Sequence, residues 1–326
     1  MMQTIHHGER HWLAQVVADL ADDDLKLVYS DWLEERGDER AAILRAFVVA
    51  SRSMDSADFP NPEGMDEEWL ELIGFRLLER AAAGGHPELK GPMLRLARPA
   101  LRLLRVRANE DSIRVGASKV RGLPDLPPGF RWPTGAECRA CYIDITRGAD
   151  RPAGFLAQIN LGEIADTHAA RELPKAGLLS FFCFQDLEDN EIGVWATLFP
   201  DVTGLVRTRP PGELTEGNAH VPPSRLMFAE TLDLPVGWKS PWSEELRPDP
   251  ETDYDKVLDH YYSSNFENIL GYARSTSGPD PTGTKESRHL ILLKTAVGSR
   301  VHIHLNQADL TAGNFGAITL NWVDWD

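Results

Sequence analysis

Cysteine is scarce in this chain: three residues in 326, an odd count that cannot build a disulfide framework. Long apolar runs are missing too, none approaching the roughly 20 residues that cross a bilayer. The opening stretch, MMQTIHHGER, has no hydrophobic segment of the secretory kind. A cytoplasmic protein with no membrane partner is therefore expected. Positive charge is in short supply, with 34 Lys and Arg against 50 Asp and Glu, a formal net charge of −16. Such a mean field repels nucleic acid and anionic lipid alike. Several catalytic signatures are also missing. There is no G-x-S-x-G elbow, no G-x-x-x-x-G-K-[ST] loop, no H-E-x-x-H helix and no G-x-G-x-x-G after a strand.

What remains is an ordinary globular composition, 42% hydrophobic and 26% charged, long enough for two domains. The front of the chain has helical periodicity. Trp12, Leu13, Val16, Val17 and Leu20 mark one helix. Leu25, Val28, Tyr29, Trp32 and Leu33 mark a second, with Asp22 to Asp24 as N-cap candidates and Gly37 as its stop. Ile43, Ala46, Phe47 and Ala50 mark a third. Residues 51–64, polar and carrying Pro60 and Pro62, read as a linker. One helix is expected from about Asp66 to Gly84-Gly85, and another from Pro92 to Leu104, broken near Pro99.

From Val115 the texture changes to short apolar or alternating runs bounded by turn residues: 154–161, 178–184, 192–199, 225–232, 290–294, 301–305 and 317–323. The expected fold class is α+β, a small all-helical N-terminal domain followed by a larger α+β domain with a mainly antiparallel sheet. The expected divisions are residues 1–52, a linker and connecting helix over 53–90, and 91–326.

Residues 119–133 read KVRGLPDLPPGFRWP, followed by FLAQINL at 155–161 and LPKAGLLSFF at 173–182. Further on stand Asn268-Ile269-Leu270-Gly271-Tyr272 and, at 308–315, ADLTAGNF. This ordered series, over about residues 91–326, resembles the YwqG-like bacterial family of unknown function. The resemblance implies a fold and leaves activity open. The family's Gln-bearing segment after Leu-Gly-Tyr and its Trp-Gly-Asp-x-Gly element have no counterpart here. Within about residues 9–52, the string YSDWLEERGD at 29–38 resembles a short helical module that accompanies repeat arrays.

Several constellations are candidates for chemistry. Cys138 and Cys141 form a C-x-x-C, but zinc would need two further ligands. His302 and His304 flank Ile303 and so share one strand face, with His220 or His289 as a distant third ligand. Lacking an identified third ligand, the reading preferred for this pair is a strand with one wet face. Asp249, Glu251, Asp253 and Asp255 imitate a calcium loop, yet Tyr254 and His260 occupy positions that require Gly and Glu. Gln158 and Asn160 share parity in an apolar strand and either face a ligand or satisfy irregular backbone. Arg95, Arg98, Arg102 and Arg105 would line one face if residues 92–104 were helical. That stripe either binds a carboxylate- or phosphate-bearing partner or docks on the acidic helices around Asp22–Asp24, Glu34 and Glu35.

The candidate binding residues are thus Arg95, Arg98, Arg102, Arg105, Gln158 and Asn160, with no catalytic residue, metal or cofactor expected. The expected role is a non-enzymatic, cytosolic protein-binding module. Relatives of the resembled family imply an immunity or antitoxin-like form of it, with a basic toxin as partner. The alternative is an enzyme or small-ligand binder with a polar site on the sheet, near Gln158, Asn160 and the His302/His304 face.

Overall fold

The computed structural model of the protein describes residues 6–140, 145, 148–186, 188, 191–212, 214, 221–235, 267–272, 287–295, 298 and 300–323. The fold is α+β, with helices early in the chain and antiparallel strands following them in sequence. Its chain forms two compact units, one of residues 1–100 and 230–266, the other of residues 101–229 and 267–326.

The first unit is a helical bundle of α1 (Glu9–Ala18), α2 (Asp23–Glu34), α3 (Arg40–Ser53), α4 (Glu67–Leu72), α5 (Phe75–Ala83) and α6 (Lys90–Leu96). The acidic run before α2 acts as a cap: the Asp22 carboxylate accepts the Leu25 backbone N–H at 2.8 Å. Asp66 does the same for α4 through Trp69 N–H at 3.0 Å. The single helix expected after Asp66 is two, because Gly74 (φ 82°) takes a left-handed conformation that ends one and admits the next.

The YSDWLEERGD string has an internal structural use. Tyr29 donates its hydroxyl to Glu9 Oε1 at 2.9 Å and accepts the Trp69 indole N–H at 3.2 Å. Arg40 completes the cluster, reaching Glu9 Oε1 at 2.5 Å and Asp38 Oδ2 at 2.6 Å. Arg36 stacks its guanidinium 3.8 Å from the Trp32 ring.

Two expectations are corrected in this region. Residues 51–64 are not a free linker: Ser51 and Met54 are buried, and the Phe59 ring packs 6.1 Å from Phe47 and 5.8 Å from Phe75. By compactness the chain passes from the first unit to the second between Ala100 and Leu101, and Leu232 and Leu234 return to fill the helical core. The helix expected to reach Leu104 stops at Leu96, and Arg98–Arg107 is a strand, β1. Pro99 drives this, since a residue before proline is pushed out of the helical region and the proline N–H is lost to the ladder.

The main sheet is completed by β2 (Lys119–Val120), β4 (Arg139–Ala140), β5 (Gly154–Asn160), β6 (Leu178–Asp186), β7 (Glu191–Phe199), β9 (Ser224–Asp233), β10 (Asn268–Leu270), β11 (Ser287–Lys294), β12 (Arg300–Asn306) and β13 (Thr319–Val323). Its order is β13-β12-β11-β10-β1-β9-β2-β5-β6-β7-β4, and Asp125–Leu126 (β3) pairs separately with Val206–Arg207 (β8). Every strand-like run from Gly154 onward is a strand. Among the described residues, no helix is long and apolar enough to cross a membrane. The second unit's larger core gathers β5, β6, β11 and β12 through Ile159, Phe181, Leu293 and Ile303.

Candidate functional site

The KVRGLPD segment closes a buried charged knot. Lys119 is fully buried on β2, its ammonium 2.9 Å from Glu110 Oε1 and 3.7 Å from Asp125 Oδ1. Asp125, also fully buried, accepts from Gly116 N–H at 2.9 Å, Gln158 Nε2 at 2.6 Å and Arg207 Nε at 2.7 Å. Burial alone would raise this carboxyl, but the Arg207 hydrogen bond, the Lys119 charge, Gln158 and the Gly116 N–H together hold it below its ordinary value. Burial lowers the Lys119 ammonium against the pull of Asp125 and Glu110. Gly122 (φ 75°) has no room for a side chain, because a Cβ would sit 2.2 Å from Glu110 Oε2 and 2.8 Å from Pro223 Cβ.

Gln158 belongs to that knot. Its carbonyl accepts Asp125 N–H at 3.0 Å, and its amide N–H groups reach Ala117 O at 2.8 Å and the Asp125 carboxylate. Asn160 donates to Gly116 O at 2.8 Å and accepts Gly162 N–H at 3.0 Å. Both amides satisfy irregular backbone, which is one of the two readings their parity allowed.

The four arginines do not share a face. Arg95 lies on α6, while Arg98, Arg102 and Arg105 lie on β1, where successive side chains alternate faces. Arg105 forms a bidentate pair with Glu267. Of the acids expected as counter-charges of the stripe, Glu34 reaches Arg45 at 2.6 Å, Asp23 reaches Arg52 at 3.4 Å, and Asp22 caps α2.

Cys138 is half-buried, and burial pushes its thiol up to about 12; Cys183 is raised by burial as well. Neither resembles a reactive or ligating thiolate. Cys141, His220 and the acidic stretch 249–260 lie outside the described residues.

The histidines behave differently. His302 and His304 project from one face of β12 while Val301, Ile303 and Leu305 fill the core on the other. The expected wet face is absent, since His302 is 1% and His304 0% exposed. The third imidazole is His289, which stands directly opposite His304 across the β11–β12 ladder. A bulge between His289 and Ile291 then resets the register, so that Leu292 pairs with His302. Ring centroids lie 5.4 Å apart for His289–His302 and for His289–His304, and 6.1 Å for His302–His304. One nitrogen from each ring lies within 4.8 Å of the others. The proximity of His289 depends on register and bulge, and nothing in the linear spacing of 289, 302 and 304 announces it. The parity of His302 and His304 was the one signal available.

A comparison with curated proteins returns no match. A family described as a domain of unknown function, DUF1963, matches residues 118–323. The match begins at the charged knot and takes in all three histidines. The chain therefore belongs to the DUF1963 family.

Proposed function

We propose that this protein is a non-enzymatic protein-binding module that engages a basic partner through the α2–α3 face of its helical unit. One observation carries the reading. Val28 on α2 and Val49 on α3 are 50% and 65% exposed, although Val28 falls within the apolar run of its helix. The Asp31–Arg45 and Asp23–Arg52 pairs tie the two helices together on either side of these valines. The result is an apolar centre flanked by ion pairs of Asp and Glu with Arg45 and Arg52, the arrangement of a recognition surface. The surplus of acids over bases in the whole chain favours basic partners by steering. The order of motifs in the second unit supports a YwqG-like place within the family. In the immunity-like form of this reading the partner is a basic toxin.

The test is capture from native lysate with the full chain and with Val28→Ser/Val49→Ser, at low and high salt. A basic protein retained at low salt by the wild type and lost in the double variant is the expected outcome. Equal retention by both chains, or retention of acidic partners only, overturns the assignment.

A further inference from the structure

We propose that His289, His302 and His304 form a binding site for a divalent transition-metal ion of the zinc class, held by three imidazole nitrogens. The inference stands apart from the α2–α3 recognition surface and concerns the other unit of the chain.

Three independent features point to it. The first is convergence: three nitrogen donors from two adjacent strands lie within 4.8 Å of one another, and every ring is at most 2% exposed. Tetrahedral coordination at about 2.0–2.1 Å brings nitrogens to about 3.3 Å. Side-chain rotations closing the rings by about 1.5 Å would complete the set, and the strands need not move.

The second feature is an unmet need. Neither ring nitrogen of His304 has a hydrogen-bond partner among the described residues, although the ring is fully buried. An imidazole always has at least one N–H to donate, and when neutral a lone pair to share. Burying both without partners is costly, and such a group calls for an unseen ligand.

The third feature is the orientation of His289. Its Nε2 lies 3.3 Å from Asn268 Oδ1. The Asn268 amide nitrogen donates to Leu270 O at 3.0 Å, which fixes the oxygen toward the ring. Nε2 is therefore the protonated nitrogen and Nδ1 carries the lone pair. A ligating histidine is held in this way when its remote N–H is anchored by an oxygen. The anchor comes from the Asn-Ile-Leu-Gly-Tyr element, whose Leu270 adopts a left-handed φ of 64° beside Gly271.

The donor set selects the ion. Three imidazoles suit Zn²⁺, Ni²⁺ or Cu²⁺, and among the described residues no carboxylate joins the set to favour Mg²⁺ or Ca²⁺. A tetrahedral ion would retain one position for solvent. β13 is the end strand of the sheet, and exposed Thr319 lies in register with His304.

The experiment uses the full chain stripped with chelator and titrated with Zn²⁺ alone. One ion per chain is expected, together with a rise in melting temperature. Co²⁺ substitution should produce visible d–d absorption without the thiolate charge-transfer band. His302→Ala/His304→Ala should abolish binding, Asn268→Ala should weaken it about 10–100-fold, and Cys138→Ser should leave it unchanged. Because the histidine variants can fail to fold, X-ray absorption of the Zn²⁺-loaded wild type provides a second reading, with three imidazole scatterers expected. Absence of stoichiometric binding, sulfur scattering, or undiminished affinity in the double histidine variant overturns the proposal.

Discussion

Replacing Asp125 with asparagine probes how far the KVRGLPD segment is held by charge. The substitution keeps the volume but removes the negative charge, and puts an N–H₂ among groups that are themselves donors: Arg207 Nε at 2.7 Å, Gln158 Nε2 at 2.6 Å and Gly116 N–H at 2.9 Å. Breaking a buried ion pair from one side costs about 3–5 kcal/mol. Glu110 softens the loss, since it lies 2.9 Å from both the Lys119 ammonium and Arg207 Nη1. The expected loss at neutral pH is therefore at the lower end, about 3 kcal/mol. Its pH dependence follows from the depressed carboxyl of Asp125. The wild-type advantage is complete above the ordinary aspartate value of about 3.9 and disappears as pH falls through the lowered folded-state value. Urea denaturation of both chains at about pH 7 and about pH 3 measures the difference. A neutral-pH loss under about 1 kcal/mol, or a difference that does not shrink in acid, would refute the charged-knot account.

Three further outcomes are expected. Gly122→Ala should lower stability by about 2–4 kcal/mol, from a left-handed φ and a collision with Glu110, and thermal melting checks it. Tyr29→Phe removes the hydroxyl shared by Glu9 and Trp69 and should cost about 1–2 kcal/mol in denaturant, with helix content retained. In a Cys141→Ser background, Cys138 and Cys183 should react slowly with a disulfide reagent at pH 8 and rapidly once unfolded, because burial raises both thiols; fast native-state labelling would contradict this.

The legibility of this chain followed the range of the forces involved. Strands from Gly154 onward were readable because apolar runs end at turn residues, a local signal. Asp22 and Asp66 were readable as caps for the same reason. Arg98–Arg107 was misread because Leu101, Leu103 and Leu104 fit both periods, and the sheet neighbours that decided the matter are distant in sequence. The apolar position of Val28 suggested burial, yet it faces solvent, since Tyr29 and Leu33 already fill the core side of α2. Gln158 was legible as a buried amide, but its partner Asp125 lies across a fold that only pairing reveals. The histidine cluster was half legible. Alternation gave His302 and His304, while His289 needed both an antiparallel register and a bulge.

The return of Leu232 and Leu234 to the helical core sets a timetable for the chain as it is made. Leu234 is added 134 residues after Ala100, about 7–27 s later at the usual 5–20 residues per second. Throughout that interval the newly made helices lack two of the leucines that finish their core. The nascent first unit is thus a waiting structure with an apolar gap, open to chaperones and to mispairing, until the segment that carries Leu232 and Leu234 delivers the missing piece.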